Sequence, residues 1–483
     1  MQKEEFNIML ASDSYKFGHY KAYMPNTKCI YSYLEARKGA KYNKTLWFGL
    51  QSILKKYLEG QVVTDQKIRE AKAYIDMHLG RDVFNEKGWR YILDKHNGQL
   101  PILIKSVEEG RLVDVGNVLM TVENTDPEVP WLTNYLETIL MQVWYPTTVA
   151  TQDWEIKKLL EYYLNKTACN KIGLPFMLHG FGMRAATSYE SCELADAAHL
   201  INFKGTDTVP ALKFICEYYG KTLNERNFNE VMTNPDIQFP GYSVFATEHS
   251  IMTSRGEEGE WDVLENIFKA CPNGIMSIVI DSYNYQRFID TCGVKYRENI
   301  LNRDGKTVFR PDSGDPVSTT LDVLERLDKH FGSTLNSKNF KVLNPKVGVL
   351  WGDGIDYVGI RNILFAMFNA GWAAENIVFG MGGHMVQSDL TRDTMRFAFK
   401  CSAQYYDDAW HDVWKKPLDI SKASKRGRLA LIKVIGGDNN IFYKTIRETE
   451  LKNPKDNRLQ TVFRNGSLYN NIDFDQLRSN AVE

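Results

Sequence analysis

Nowhere does this chain run apolar for 18 residues, so it offers no membrane-spanning helix. It has no excess of either charge. Its 59 Lys and Arg stand against 60 Asp and Glu, a net charge of −1, which argues against a general binder of nucleic acid or anionic membrane, a local basic patch aside. The N-terminus, MQKEEFNIMLASDSYK, is too polar for a signal peptide. The seven cysteines (29, 169, 192, 216, 271, 292 and 401) are odd in number, scattered and free of any CxxC pair. That speaks against a disulfide framework or a zinc site and predicts reduced thiols in a cytoplasmic protein. No low-complexity linker divides the chain.

What is present is ordinary for a globular protein, with 43% hydrophobic and 25% charged residues. A length of 483 residues exceeds what one core serves comfortably and predicts two domains. In the first part, KIREAKAYIDMHL reads as a helix. PILIKSVEEGRLVDVGNVLMTVENTDP reads as antiparallel strands broken at Gly110 and Gly116, and WLTNYLETILMQVWY as one amphipathic helix. From about residue 150 short apolar runs recur, each followed by a polar or glycine-rich turn and a helical stretch: FMLH then GFGMR, HLINF then KGTDT, YSVFA then TEHS, IMSIVI then DSYN, TVF then RPDSGDP, VGVLW then GDGID, and NIVF then GMGGH. Such alternation predicts parallel strands with crossover helices, as a closed βα barrel or an open doubly wound sheet. Leu321, Leu324, Leu327 and Phe331 share one helix face, which Ser318 or Thr319 can cap, with Asp315 a further capping candidate. Ile355, Val358, Ile363, Met367 and Phe368 mark the next helix, which Gly371 stops. The last 80 or so residues return to strand-like alternation and are expected to join the first part rather than form a third domain. The expected division is 1–148, 149–395 for the barrel, and 396–483.

In a βα barrel the loops after the strands gather at one face and carry the active site. Asp207, Glu248, His249, Asp281, Arg310, Asp312, Asp353, Gly382 and Gly383 all follow strand candidates. Any one of these turns is equally well an ordinary connector, since Asp, Ser and Gly are common turn formers; together they are harder to dismiss. Gly380, Gly382 and Gly383 let backbone N–H groups approach an anion, or make a plain turn. Arg184, Arg310 and Arg392 can clamp phosphate or carboxylate oxygens, or serve as ordinary ion-pair arginines. The aspartates suit Mg²⁺ or ribose hydroxyls, with a solvated helix cap as their bland alternative. Phe181, between glycines in GFGMR, can stack a flat heterocycle or belong to the core. His249 is structural or nucleophilic, and Glu248 is a candidate to orient it, although neighbours in an extended strand point opposite ways.

The segments ASDSYKFGHY, YSYLEAR, FNEKGW, VENTDP, AHLINFKGTDTV, PGYSV with TEHS, DSYN, RPDSGDP, GDGID, LTRD and KRGRLAL together resemble the nicotinamide phosphoribosyltransferase family, in order from about residue 6 to about 480. The resemblance implies a type II phosphoribosyltransferase fold, an α/β protein with an irregular βα barrel and an α/β sandwich domain built from the N- and C-terminal segments. It implies formation of nicotinamide mononucleotide and pyrophosphate from nicotinamide and phosphoribosyl pyrophosphate with Mg²⁺, in NAD salvage, by a homodimer with shared active sites. By motif, Phe181 and Tyr15 of the other subunit would stack the two faces of nicotinamide. Asp207 would accept from the carboxamide, Arg310 would contact the base, and Ser243 and Ser277 would line its pocket. Asp281 and Asp312 would hold the ribose and the Mg²⁺-pyrophosphate region. Gly352, Asp353, Gly382 and Gly383 would follow the ribose 5-phosphate, with Arg184 and Arg392 nearby. Arg37, Lys400 and Lys425 would reach the phosphates from the interface, and His249 would be phosphorylated by ATP.

The sequence departs from the family pattern in places. GMGGHMVQSDLTRD is one residue longer between its glycines and Arg392, Met381 replaces a small residue, the segment after Arg37 is shorter, and 221–239 reads as an insertion. Three rival readings stand beside this one: a nicotinate phosphoribosyltransferase, a barrel lyase or aldolase using Lys204 as a Schiff base, and a non-catalytic nucleotide-sensing protein of the same fold.

Overall fold

Short apolar runs separated by helical stretches do build parallel strands. The computed structural model describes residues 6–220, 239–415, 424–437 and 441–481. Seven parallel strands form one sheet: β1 (Leu178–Gly180), β2 (Gly205–Thr206), β3 (Phe245–Ala246), β4 (Asn273–Val279), β5 (Asp304–Arg310), β6 (Val347–Trp351) and β7 (Ile377–Met381). Their order in the sheet is β2-β1-β7-β6-β5-β4-β3. The edge strands then meet through a bridge between Gly205 of β2 and Tyr242, just before β3. Each strand thus neighbours its successor in the chain, the arrangement of an irregular βα barrel.

Two of the intervening helices, Pro316–Phe331 and Tyr357–Asn369, bury one face each. Pro316–Phe331 starts at Asp315, whose Oδ1 accepts from Ser318 N at 2.9 Å, with Pro316 in the first turn. Of the capping candidates it is therefore Asp315, and neither Ser318 nor Thr319, that caps the helix. Val323, Leu324, Leu327 and Phe331 are buried there, while Leu321 is only half-buried. In Tyr357–Asn369 the buried residues are Ile360, Ile363, Leu364 and Met367, and Val358 and Phe368 turn outward. Gly371, at φ 79°, closes that helix as Trp372 N reaches back to Met367 O at 2.8 Å. HLINF is not a strand. Residues 199–202 end the helix Tyr189–Asn202, whose last eight residues are buried all round; an apolar run inside such a helix reads the same as a buried strand.

The chain divides into two compact units, Gln152–Phe214 with Asn224–Asp389, and Met1–Thr151 with Ile215–Leu223 and Leu390–Glu483. The changeovers thus fall at 151/152 and 389/390 rather than at 148/149 and 395/396, and a short segment after 214 joins the terminal parts. The expected insertion over 221–239 lies, but for its last residue, outside the described residues.

The unit built from the chain's two ends carries a seven-stranded antiparallel sheet. Its order is Ala409–Asp412, Phe397–Tyr406, Cys29–Ala36, Val118–Asn124, Ile102–Ser106, Gln460–Arg464 and Ser467–Leu468. C-terminal strands thus pair directly with N-terminal ones. WLTNYLETILMQVWY is interrupted rather than continuous: Leu132–Tyr135, Glu137–Met141, then a long helix from Trp144. Pro146 lacks the N–H that an unbroken helix would need and sits instead in a new first turn. Among the described residues no helix is long and apolar enough to cross a membrane.

Candidate active site

The carboxyl ends of the seven strands bring the barrel's expected site residues to one mouth. Phe181 follows β1, Asp207 follows β2, Glu248 and His249 follow β3, Asp281 follows β4, Arg310 ends β5 with Asp312 just beyond, Gly352 and Asp353 follow β6, and Gly382 and Gly383 follow β7. Three sets of contacts tie many of these residues together.

The first set surrounds Asp207. His179 Nε2 lies 2.8 Å from Asp207 Oδ1, and Ser243 Oγ donates to the same oxygen. Both contacts converge on Oδ1, and neither engages Oδ2. Burial pushes the Asp207 carboxyl up, but the His179 hydrogen bond and charge, the Ser243 hydroxyl and the Arg310 guanidinium outweigh it and hold the group below the usual aspartate range. His179 was not foreseen; its signal was a lone imidazole in an apolar strand, beside the aromatic of GFGMR. Ser277, Tyr242, Ser243, Val308 and Leu350 help line an interior cavity of about 430 Å³ that His179 also borders.

The second set surrounds Phe181. Its ring lies 5.1 Å from that of His179, and the Arg310 guanidinium carbon is 5.1 Å from its centroid. A side chain at Gly380 would overlap this ring, and one at Gly352 would touch both it and Arg310 Nε. Gly380 therefore makes room for Phe181. Gly382 and Gly383 begin a short turn of helix. Arg184 is exposed, as is Asp353, whose carbonyl accepts from Trp351 Nε1 at 2.9 Å.

The third set is acidic. Asp281 Oδ2 accepts from Asp312 N at 3.0 Å and from Ser313 Oγ, while its Oδ1 is buried with no hydrogen-bond partner. The Asp281 side chain is 4% exposed. His249 Nε2 stands 3.9 Å from Asp281 and 3.7 Å from Asp312, and its Nδ1 lies 3.1 Å from Ser282 Oγ. Glu248 does not orient the ring; it accepts from Ser250 Oγ instead. Adjacent residues leaving an extended segment diverge, and the helix His249–Met252 begins between them.

No group of three or more His, Cys, Asp or Glu among the described residues is arranged to hold a metal ion. One buried, unpartnered carboxylate oxygen does fit Mg²⁺, which is commonly held by one or two carboxylates, waters and substrate phosphates.

The other unit carries the remaining expected residues. Tyr15 is 63% exposed in a short turn. Lys425 pairs with the buried Glu35, and Lys425 N donates to Tyr33 Oη at 2.8 Å. Lys400 stands directly opposite Tyr33 in the sheet. Burial, with the charges of Lys415 and Arg37, pushes the Lys400 amine down. Arg37 Nε donates to Arg396 O at 3.2 Å. Arg37, Lys400 and Lys425, far apart in sequence, thus form one basic cluster. Arg392 is exposed and pairs with Asp393.

Residues 176–467 match the Nicotinate phosphoribosyltransferase (NAPRTase) family, and residues 7–104 match the Nicotinamide phosphoribosyltransferase N-terminal domain. A nicotinamide phosphoribosyltransferase of Xanthomonas campestris is 42% identical, covering 98% of this chain and 98% of its own. The chain belongs to the nicotinamide phosphoribosyltransferase family. It is an enzyme of the pentosyltransferase class. Another member, from Mycoplasma pneumoniae, is 32% identical over 89% of this chain and 97% of its own. Human nicotinic acid phosphoribosyltransferase superposes with a TM-score of 0.58 at 15% identity, covering 98% of this chain and 93% of that one. A nicotinate-nucleotide pyrophosphorylase from Pyrococcus furiosus gives 0.58 at 12% identity, covering 98% and 95%. At such identities the likeness is one of fold, that of the type II phosphoribosyltransferases. Lys204, the Schiff-base candidate of the lyase reading, immediately precedes β2 and so stands at the strand's amino end, away from the mouth.

Proposed function

We propose that this phosphoribosyltransferase takes nicotinamide as its base and phosphoribosyl pyrophosphate as its donor, giving nicotinamide mononucleotide and pyrophosphate in NAD salvage. The observation that carries the reading is the Asp207 carboxylate beside Phe181, with His179 and Ser243 both on Oδ1. Oδ2 is then available to accept from a carboxamide N–H₂. Nicotinate would bring a second carboxylate, and two charges ~4 Å apart repel by roughly 4 kcal/mol at an effective dielectric of 20. That repulsion disfavours the acid.

Transfer breaks the bond from the anomeric carbon to the pyrophosphate oxygen and forms one to the pyridine nitrogen. Phe181 stacks the ring and fixes that nitrogen in line. Arg310 contacts the base, and Asp312 and Asp281 face the ribose and the donor's metal. Mg²⁺, when bound, stabilises the leaving pyrophosphate, and Asp281 Oδ1 is the atom that would hold it. Gly382, Gly383, Gly352 and Asp353 are assigned to the 5-phosphate, with Arg184 and Arg392. His249 is assigned as acceptor of the terminal phosphoryl group of ATP: a ring nitrogen forms the N–P bond as ADP leaves. Its 47% exposure and its place beside Asp281 and Asp312 support that role.

The working form is proposed as a homodimer in which Tyr15, Arg37, Lys400 and Lys425 serve the partner's barrel. Mixing inactive Tyr15→Ala and Phe181→Ala variants would then restore activity through hybrid sites. The seven free cysteines support a reducing cytoplasmic setting.

The deciding experiment measures product from phosphoribosyl pyrophosphate and Mg²⁺ with nicotinamide or nicotinate, with and without ATP. Mononucleotide from the amide alone, raised by ATP, supports the whole reading. Turnover of the acid alone removes the amide assignment, and turnover of neither removes the catalytic one.

A further inference from the structure

Beneath the base pocket lies a set of fully buried polar groups that the chemistry above does not use. Asp153, Asp196 and His199 are each 0% exposed. Asp196 and His199 are three apart on the helix Tyr189–Asn202 and so share a face. His199 Nε2 lies 2.9 Å from the carbonyl of Gly205, and Nδ1 lies 2.6 Å from Asp153 Oδ2. A carbonyl only accepts, so Nε2 carries hydrogen and donates, and Asp153 fixes the ring from the other side. Asp196 Oδ1 accepts from Thr206 Oγ1 at 2.7 Å, and Thr206 Oγ1 accepts in turn from Thr208 N at 2.9 Å. A side chain at Gly180 would overlap Asp196 Oδ1, so the carboxylate sits directly under the end of β1 as well. The two strand ends are further joined by Asp207 N donating to Gly180 O at 3.0 Å.

These ties fall at informative positions. Gly180 immediately precedes Phe181, and Thr206 immediately precedes Asp207. Resting on the reading of Phe181 and Asp207 as the base pocket, we infer that Asp196 and His199 are its positioning residues: from one helix face they hold the ends of β1 and β2, and with them the distance between the stacking ring and the selecting carboxylate. Neither touches substrate. A buried network of this kind is retained at the cost of desolvating three ionisable groups, which a purely apolar contact would avoid. Its members are spent on the two backbone segments that carry the base pocket, and not on the acidic cluster of Asp281 and Asp312.

The test is Thr206→Val, which removes the hydroxyl and keeps the side-chain shape. Loss of both buried hydrogen bonds of that hydroxyl, the one it donates to Asp196 and the one it accepts from Thr208 N, predicts a rise in the KM for nicotinamide of about tenfold, with the KM for phosphoribosyl pyrophosphate within about twofold of wild type. Thr206→Ser, which keeps the hydroxyl, restores wild-type behaviour. Where circular dichroism shows Thr206→Val unfolded, Asp196→Asn carries the same expectation. An unchanged base KM, an equal rise in both, or a fall in kcat alone overturns the inference. If wild type turns over nicotinate rather than nicotinamide, the functional reading fails, and the same comparison is made on the KM for nicotinate.

Discussion

Arg310 Nη2 donates to Asp312 Oδ1 at 2.8 Å, across the point where β5 ends. The two residues are i and i+2, so they leave the strand on one side, and the pair joins the side of the mouth proposed for the base to the side proposed for the ribose. Arg310 also lies over Phe181, and its Nε is buried with no partner in the protein. A planar guanidinium can serve all three directions at once; an ammonium cannot. Arg310→Lys is expected to lower kcat/KM on the order of 100-fold, the loss of one charge-assisted bond and a stacked plane. Steady-state kinetics check this, and a loss under about threefold would assign the Asp312 contact no weight.

Asp207→Asn is expected to let nicotinate in. The variant removes one of two like charges, so the preference for amide over acid falls by roughly 100-fold or more. Competition between the two bases measures it, and strict amide preference in an active variant would refute the charge argument.

The same aspartate carries a pH signature. Its carboxyl is held below the usual range, burial being outweighed by His179, Ser243 and Arg310. Its folded value is thus below its unfolded one, and the stability it contributes is present above the unfolded value and lost as pH falls through the folded one. Below about pH 4, wild-type thermal stability therefore declines more steeply than that of Asp207→Asn. Melting curves from pH 3 to 6 test the sign, and parallel curves would count against it.

Much of this site was legible because a parallel barrel writes it locally: a short apolar run, then the polar turn that reaches the mouth. RPDSGDP shows this well, with Arg310 and Asp312 two residues apart across a strand end and Asp315 capping the helix beyond. What was not legible depends on neighbours distant in sequence. Gly380 is fixed by the Phe181 ring, almost 200 residues earlier. Glu248 turned to Ser250 because a helix begins between it and His249. HLINF misled because a helix buried all round has no polar face to reveal its period.

His249→Ala is expected to keep basal transfer and lose ATP stimulation, because the ring stands at the edge of the acidic cluster and makes no contact with Asp207 or Phe181 among the bonds described. Rates with and without ATP decide this. Stimulation that survives the change removes His249 from the phosphoacceptor role.

Gly380→Ala places a methyl group in the space that the Phe181 ring occupies. Overpacking costs typically 1–3 kcal/mol, and here the ring is the part free to move, into the mouth. The KM for nicotinamide should rise about fivefold or more, with that for phosphoribosyl pyrophosphate little changed. A variant that binds the base normally would show that the ring tolerates displacement.

Lys425 offers a test of whether the basic cluster is structural or functional. Its amine neutralises Glu35, whose side chain is 4% exposed. Burial pushes the Glu35 carboxyl up and Lys425 only partly offsets it. Lys425→Met alone leaves that carboxyl buried with only the Tyr33 hydroxyl, 3.5 Å away, as its hydrogen-bond partner, and should destabilise the protein by about 2–4 kcal/mol. Combining it with Glu35→Gln removes the stranded charge and should return most of the loss, since an unpaired buried charge costs more than the pair contributes. If Lys425 also serves a phosphate, the double variant recovers stability but keeps a raised KM for phosphoribosyl pyrophosphate. Denaturant unfolding and that KM, measured on both variants, separate the two roles: recovery of both makes Lys425 purely structural, and a KM that stays high assigns its charge to the substrate.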